Sequence, residues 1–301
     1  MLEYISKSCR ITADEFTRRH WDDGESMSAI ARSIGVLPSV LQWHLRRHKI
    51  RSRTARESYA QRMITGKSYG RKYTVNQHFF DSWSPAMAWV LGLLAADGSI
   101  HPTHRQFYLA SKDLSLIHKF YYLLRFNGPV AINNTGCHMG IICSVVLVHR
   151  LMDLGLIPNK TLILRYPPVP DNLHRHFIRG YFDADGSIRT SLGSKGITPL
   201  LRIKISTSSE SFATSLSNIL IRQNLKHSLR RRGPEGKRKP HWNLDAGSYN
   251  ALQFCDFIYH DAPPELRLER KFRIYSDYVL QYGHLYANGP RPGKHSYQSP
   301  R

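Results

Sequence analysis

The sequence predicts an α+β fold built from two pseudo-symmetric αββαββα repeats, preceded by a small all-α unit. Three observations predict it. The stretch Ala-Asp-Gly-Ser-Ile occurs twice, at 96–100 and 184–188, which sets Asp97 and Asp185 88 positions apart. After each copy, period-2 alternation and amphipathic 3.6-period stretches follow one another in the same order. The first fifty-odd residues carry short helical patterns around a glycine turn, with no strand signal.

In chain order, residues 1–53 divide into three short helices. The first covers Ala13 to Trp21; Ser26 is a natural cap for the second, with Ile30, Ala31 and Ile34 on its apolar face. Gly35 supplies a turn into a third helix from Leu37 to Lys49, with Val40, Leu41 and Leu45 inward and Ser39, Gln42, Trp43, Arg46 and Arg47 outward. Short helices around a glycine turn describe a helix-turn-helix domain. Residues 54–75 read as a linker: between Arg46 and Lys72 stand ten Lys and Arg, Arg51 and Arg53 among them, against one acid, Glu57.

The first repeat occupies 76–170 and the second 171–282. Each opens with an apolar helix, Pro85 to Ala96 and Leu173 to Ala184. Two strands follow, Ser99 to His101 with Gln106 to Ala110, and Ser187 to Ser191 with Leu200 to Ser206. Amphipathic helices come next, Asp113 to Phe126 and Glu210 to Gln223. Further strands lie at Pro129 to Asn133 and His138 to Cys143, then His227 to Arg232 and His241 to Asp245. Val145 to Gly155 and Tyr249 to Tyr259 close the repeats as helices. Residues 283–301, rich in Pro, Gly and Ser, form an expected flexible tail.

Charge narrows the partners. The 301 residues hold 43 Lys and Arg against 22 Asp and Glu, a net charge of +21, with 41% hydrophobic residues. Such a field suits a polyanion, nucleic acid above all. A membrane is not expected as partner, because no stretch approaches the roughly 20 apolar residues that span a bilayer. Cys9, Cys137, Cys143 and Cys255 are scattered without a CxxC pair, and with His138 and His149 nearby they fit no common zinc module. They read as thiols of an intracellular, reducing compartment.

The repeat-opening segments, VLGLLAADG from Val90 and IRGYFDADG from Ile178, resemble the motif of the LAGLIDADG homing endonucleases, and the resemblance extends from about Phe79 to Val279. Small residues recur at intervals of four, Ala88, Gly92 and Ala96 in one helix, Gly180 and Ala184 in the other, which lets two helix backbones pack side by side. Each helix ends at the glycine after the aspartate, Gly98 or Gly186, where left-handed geometry is expected. Asp97 and Asp185 are thereby delivered together, and a divalent cation, Mg²⁺ or Mn²⁺, relieves their repulsion and can activate water. The first copy has Ala95 where the motif often has Asp; the second keeps Asp183.

The resemblance implies further roles. GLIPNKT and LRLERKF match family segments whose lysine reaches the active site, which points to Lys160 and Lys271 as catalytic partners of Asp97 and Asp185. Ser111 and Thr207 fall where the family places a variable polar side chain. The eight strands would form saddles in adjacent major grooves of double-stranded DNA. In LLRIKIST, Arg202, Lys204 and Ser206 share one face and Leu201, Ile203 and Ile205 the other. Arg189, Arg230, Arg232, His241 and Asn243 join that polar surface, and Arg105, Gln106 and Tyr108 give a thinner set in the first half.

The reaction so implied is metal-dependent hydrolysis of both strands at a long, asymmetric site by a monomer, free-standing or intron-encoded. Two readings on the same fold stay open: a non-catalytic DNA-binding regulator, and a maturase acting on the RNA of its own intron.

Overall fold

The computed structural model of the protein describes residues 4–6, 8–54, 57–58, 73–192, 199–233, 241–287 and 289. Two compact units result, residues 1–73 and 74–301. Most of the basic linker and most of the tail lie outside the described residues.

In the first unit, α1 (Ala13–Thr17) runs into a π-helical turn, Arg18–Asp22. Helix α2 (Met27–Ser33) is capped by Ser26, whose Oγ accepts from the Ala29 amide at 3.1 Å. Gly35, at φ +74°, turns the chain into α3 (Pro38–Arg47). Ile5, Cys9, Ile11, Phe16, Ile30, Ala31, Leu41 and Leu45 form its core. Val40, expected inward, is exposed: Leu41 and Leu45 already fill the inner face of α3.

The second unit contains the two repeats. The first is α4 (Pro85–Asp97), β1 (Gly98–Ile100), β2 (Gln106–Ser111), α5 (Leu114–Leu123), β3 (Ala131–Ile132), β4 (His138–Cys143) and α6 (Val145–Asp153). The second is α7 (His174–Asp185), β5 (Ser187–Leu192), β6 (Pro199–Thr207), α8 (Glu210–Arg222), β7 (Ser228–Arg232), β8 (His241–Gly247) and α9 (Tyr249–Tyr259). Each repeat folds into a four-stranded antiparallel sheet of the same order, β1-β2-β4-β3 and β5-β6-β8-β7. This is the expected αββαββα order, twice.

The structure adds one helix that the repeat pattern did not predict, α10 (Glu269–Tyr282), and a 3₁₀ turn at Gly283–Tyr286. Tyr286 is buried, and its hydroxyl meets that of Tyr278 at 3.1 Å. Packed chain therefore runs past residue 282, where the tail was expected to begin.

Helices α4 and α7 pack against each other along nearly their whole length, and glycine sets how closely. A Cβ on Gly92 would stand 2.7 Å from the Tyr181 amide nitrogen, and one on Gly180 would stand 2.8 Å from the Trp89 carbonyl carbon. Every residue of α4 from Met87 to Ala95 is buried, because one side meets α7 and the other meets its own sheet. The expectation for Gly98 and Gly186 needs correction. Their φ values are −84° and −72°, not left-handed. Glycine is required there for space: a Cβ would lie 2.6 Å from Leu94 Cα or from Phe182 O.

Candidate active site and nucleic-acid interface

Asp97 and Asp185 are the last residues of the two paired helices. Both residues are exposed, yet enough protein lies around their carboxyls to strip part of their water. Loss of water raises both, and Asp185 reaches about 6, with the Asp97 charge as the second cause. Lys271 and Lys160 act in the opposite direction on both aspartates. All four charged side chains anticipated from the sequence are therefore electrostatically coupled in one place.

The two lysines are held differently. Lys160 is buried in a short 3₁₀ turn that follows Asn159 in left-handed geometry, and its Nζ donates to the Gly98 carbonyl. Lys271, near the start of α10, donates to the carbonyls of Phe182 at 2.6 Å, Asp183 at 2.9 Å and Gly186 at 2.5 Å. An ammonium has three N–H bonds, so these carbonyls engage all of them. Cations at the carbonyl end of a helix are favoured, and each lysine occupies that position in its own repeat. Burial lowers both to about 8.

Beside Asp185 opens a concavity of about 350 Å³, lined by Lys160, Tyr181, Thr207, His241, Ala96 and others. Tyr181 stacks on Phe212, with ring centroids 4.6 Å apart. Sequence reasoning did not single out Tyr181, although its place one turn before Asp185 could have flagged it. Ser111 and Thr207 are held alike, each hydroxyl accepting from the amide two residues on, Asp113 at 3.1 Å and Ser209 at 3.3 Å.

Asp183, kept only in the second motif, is buried and is not a ligand candidate. Its oxygens accept from Trp89 Nε1 at 2.9 Å, Tyr259 OH at 2.7 Å and the Leu268 amide at 3.0 Å. It thereby joins α4, α9 and the approach to α10. Arg179, also buried, donates to the carbonyls of Leu266 at 2.6 Å and Ile258 at 2.8 Å.

The register of the second sheet puts the expected basic residues on one face. Arg189 lies opposite Arg202, Lys204 opposite Asp245, Arg230 opposite Asn243, and Arg232 opposite His241. Leu201, Ile203, Ile205 and Leu244 are buried behind them. A trough of about 620 Å³ is lined by Arg189, Arg202, Lys204, Arg230 and Arg232. Asn243 shares this face but is only 4% exposed, and it accepts from Ser206 Oγ at 2.8 Å. In the first sheet Tyr108 is half-buried on the outer face, and Arg105 is exposed just before β2.

In the first unit, Gln42, Trp43, Arg46 and Arg47 are exposed along α3, and the Arg47 guanidinium stacks over Trp43 at 5.3 Å. Arg51, which stays exposed, and half-buried Arg53 both have partners within the unit. Arg51 pairs with Glu57 and stacks over Trp21 at 5.2 Å, while Arg53 donates to the Glu25 carbonyl at 2.5 Å and meets His20. Cys9 and Cys255 are buried, Cys137 is half-buried and Cys143 exposed, all as free thiols. Among the described residues, no set of three or more His, Cys, Asp or Glu could hold a metal, and no helix is long and apolar enough to cross a membrane.

Duplicated sheets flank two helices that end in paired aspartates, and comparison with known proteins finds a family match over one of the two repeats. Residues 172–259, nearly the whole second repeat, match the family model of the LAGLIDADG-like domain. The match is confined to the second repeat, and the first repeat shows the same strand order. None of the curated proteins compared matches the chain by sequence. Among solved structures it is similar to the meganuclease I-SmaMI bound to uncleavable DNA, at 13% identity over 68% of this chain and 95% of that one, TM-score 0.47. It is also similar to the LAGLIDADG homing endonuclease I-GzeII in complex with its DNA target, at 12% identity, 69% and 94% coverage, TM-score 0.46. Full-length DUF199/WhiA from Thermatoga maritima is similar at 13% identity, 71% and 72% coverage, TM-score 0.41. At these scores the functional reading rests on the chain's own residues.

Proposed function

We propose that this protein is a LAGLIDADG-type homing endonuclease that hydrolyses both strands of a long, asymmetric DNA site. The observation that carries the reading is the pair Asp97 and Asp185 at the ends of two tightly packed helices, each carboxyl raised by lost water and Asp185 further raised by Asp97. Two neighbouring carboxylates, oxygen donors alone, fit a hard divalent cation such as Mg²⁺ or Mn²⁺, and DNA phosphates would complete a coordination shell that two side chains cannot fill. A metal held there would supply Lewis-acid stabilisation and an activated water.

The protein's own groups then divide the remaining work. Lys160, bonded through one N–H to Gly98, reaches the concavity beside Asp185 and can steady charge on the scissile phosphate. Lys271, fully engaged by carbonyls, is a positioning residue that fixes the end of α7. The basic face of the second sheet reads and holds DNA, and the first sheet extends that surface beyond the aspartates. Helix α3 of the first unit, with Gln42, Trp43, Arg46 and Arg47 outward, acts as the recognition helix of a helix-turn-helix that adds affinity on one flank.

The test is cleavage by Asp97→Asn and Asp185→Asn variants on DNA spanning the uninterrupted insertion site of the gene. Each should lose double-strand cleavage while binding is retained. Cutting by both single variants at the parental rate contradicts the assignment.

A further inference from the structure

The two sheets are built alike but surfaced differently. Across the outer face of the second sheet, Arg189, Arg202, Lys204 and Arg230 surround a single acid, Asp245. The equivalent face of the first sheet is made of three cross-strand rows: Gln106 with Cys143; Ser99, Tyr108 and Ile141; and Ala110, Met139 and Ala131. No Lys, Arg, Asp or Glu stands in these rows. Arg105 and Lys112 are exposed at the two ends of β2, outside the strand.

This difference has a direct chemical reading, and it rests on the proposed function above. In the major groove, guanine offers N7 and O6 acceptors to Arg and Lys, and the cytosine amino group is a donor that Asp can accept. The second sheet carries both partners. Thymine offers a C5 methyl that apolar side chains contact, and adenine offers N6 and N7 to an amide such as Gln. The first sheet carries those: Ile141, Met139 and Ala110 for methyls, Gln106 for adenine. A cation-free centre with Arg105 and Lys112 at its ends also suits base contacts inside and phosphate contacts at the rim.

One duplex can serve both faces. Strand β1 begins at the residue after Asp97, and β5 begins two residues after Asp185. Each sheet therefore departs from its own aspartate, and DNA cut at the pair runs outward over both sheets. We propose that the target is compositionally split. The half-site under the second sheet is G·C-rich and read by Arg202, Lys204, Arg230 and Asp245. The half-site under the first sheet is A·T-rich and read through thymine methyls by Ile141 and Met139, with Gln106 on adenine.

The experiment selects bound sequences from long random duplexes with the full chain in Ca²⁺, then measures the recovered site and its variants. The expected site has one G·C-rich and one A·T-rich half. Replacing thymine by deoxyuridine, which deletes only the methyl, should weaken binding about fourfold for each contacted methyl in the A·T-rich half. The same replacement in the other half should change nothing. Arg202→Ala should relax base preference in the G·C-rich half alone, and Ile141→Ala in the A·T-rich half alone. A recovered site whose halves match in composition, or deoxyuridine without effect in the A·T-rich half, overturns the split while leaving the endonuclease reading intact. Recovery of no preferred sequence overturns both.

Discussion

At the scale of single residues, the site is a compact set of charges whose pKa values depart from ordinary ones for identifiable reasons. Asp185 in the fold ionises at about 6, against about 3.9 for an unperturbed aspartate. The folded state thus holds this proton more tightly than the unfolded one, so in metal-free buffer the group's contribution to stability falls as pH rises from about 4 to about 6. Asp185→Asn removes that loss. Urea denaturation in chelator should show the variant gaining on the parent between pH 4 and pH 7; a constant or reversed difference contradicts the coupling. The lysines separate by a different measurement. Lys271→Met should lower the melting temperature, since the carbonyls at the end of α7 lose their cation, whereas Lys160→Met should lower the cleavage rate with less effect on melting. Equal behaviour of the two variants contradicts the division of roles. Asp97, Asp185, Lys160 and Lys271 were all legible in the sequence, because motif copies mark them. For Arg53 and Asn243 the sequence did not show that Glu25, His20 and Ser206 also engage their side chains.

At the scale of elements, the decisive packing is α4 on α7. Small residues at four-residue spacing predicted it, and Gly92 and Gly180 are where the two backbones touch. Gly92→Ala should cost about 1–3 kcal/mol through overpacking, and cleavage should fall with it as Asp97 and Asp185 shift apart. Denaturant unfolding checks the first effect and a single-turnover rate the second; full stability with parental rate contradicts the role given to this helix pair. The order of elements along the chain and the face alternation were readable from period-2 patterning, most clearly in β6, whereas the order of strands within each sheet was not. Helix α10 was missed because its apolar positions, Phe272, Tyr275, Tyr278 and Tyr282, are interleaved with charges and fall after the repeat has closed. Gly98 and Gly186 were correctly marked as helix ends but for another reason than backbone geometry: the crowding by Leu94 and Phe182 is a tertiary fact.

At the scale of the whole molecule, the net charge of +21 sets how binding responds to salt. Neutralising one Lys or Arg that binds a phosphate should reduce the slope of log K against log salt by about 1. A chain lacking residues 1–73 retains the compact second unit, so it should still cut, with weaker affinity and a shallower slope at matched salt. Affinity equal to the full chain contradicts the part assigned to the first unit. The central claim concerns the paired aspartates, and one measurement tests it most directly: cleavage of duplex spanning the uninterrupted insertion site, in Mg²⁺ and in Ca²⁺, by the parent and by Asp185→Asn. The account predicts double-strand cutting by the parent in Mg²⁺, binding without cutting in Ca²⁺, and binding alone by the variant in either ion. Tight binding by the parent with no cutting in Mg²⁺ would contradict it.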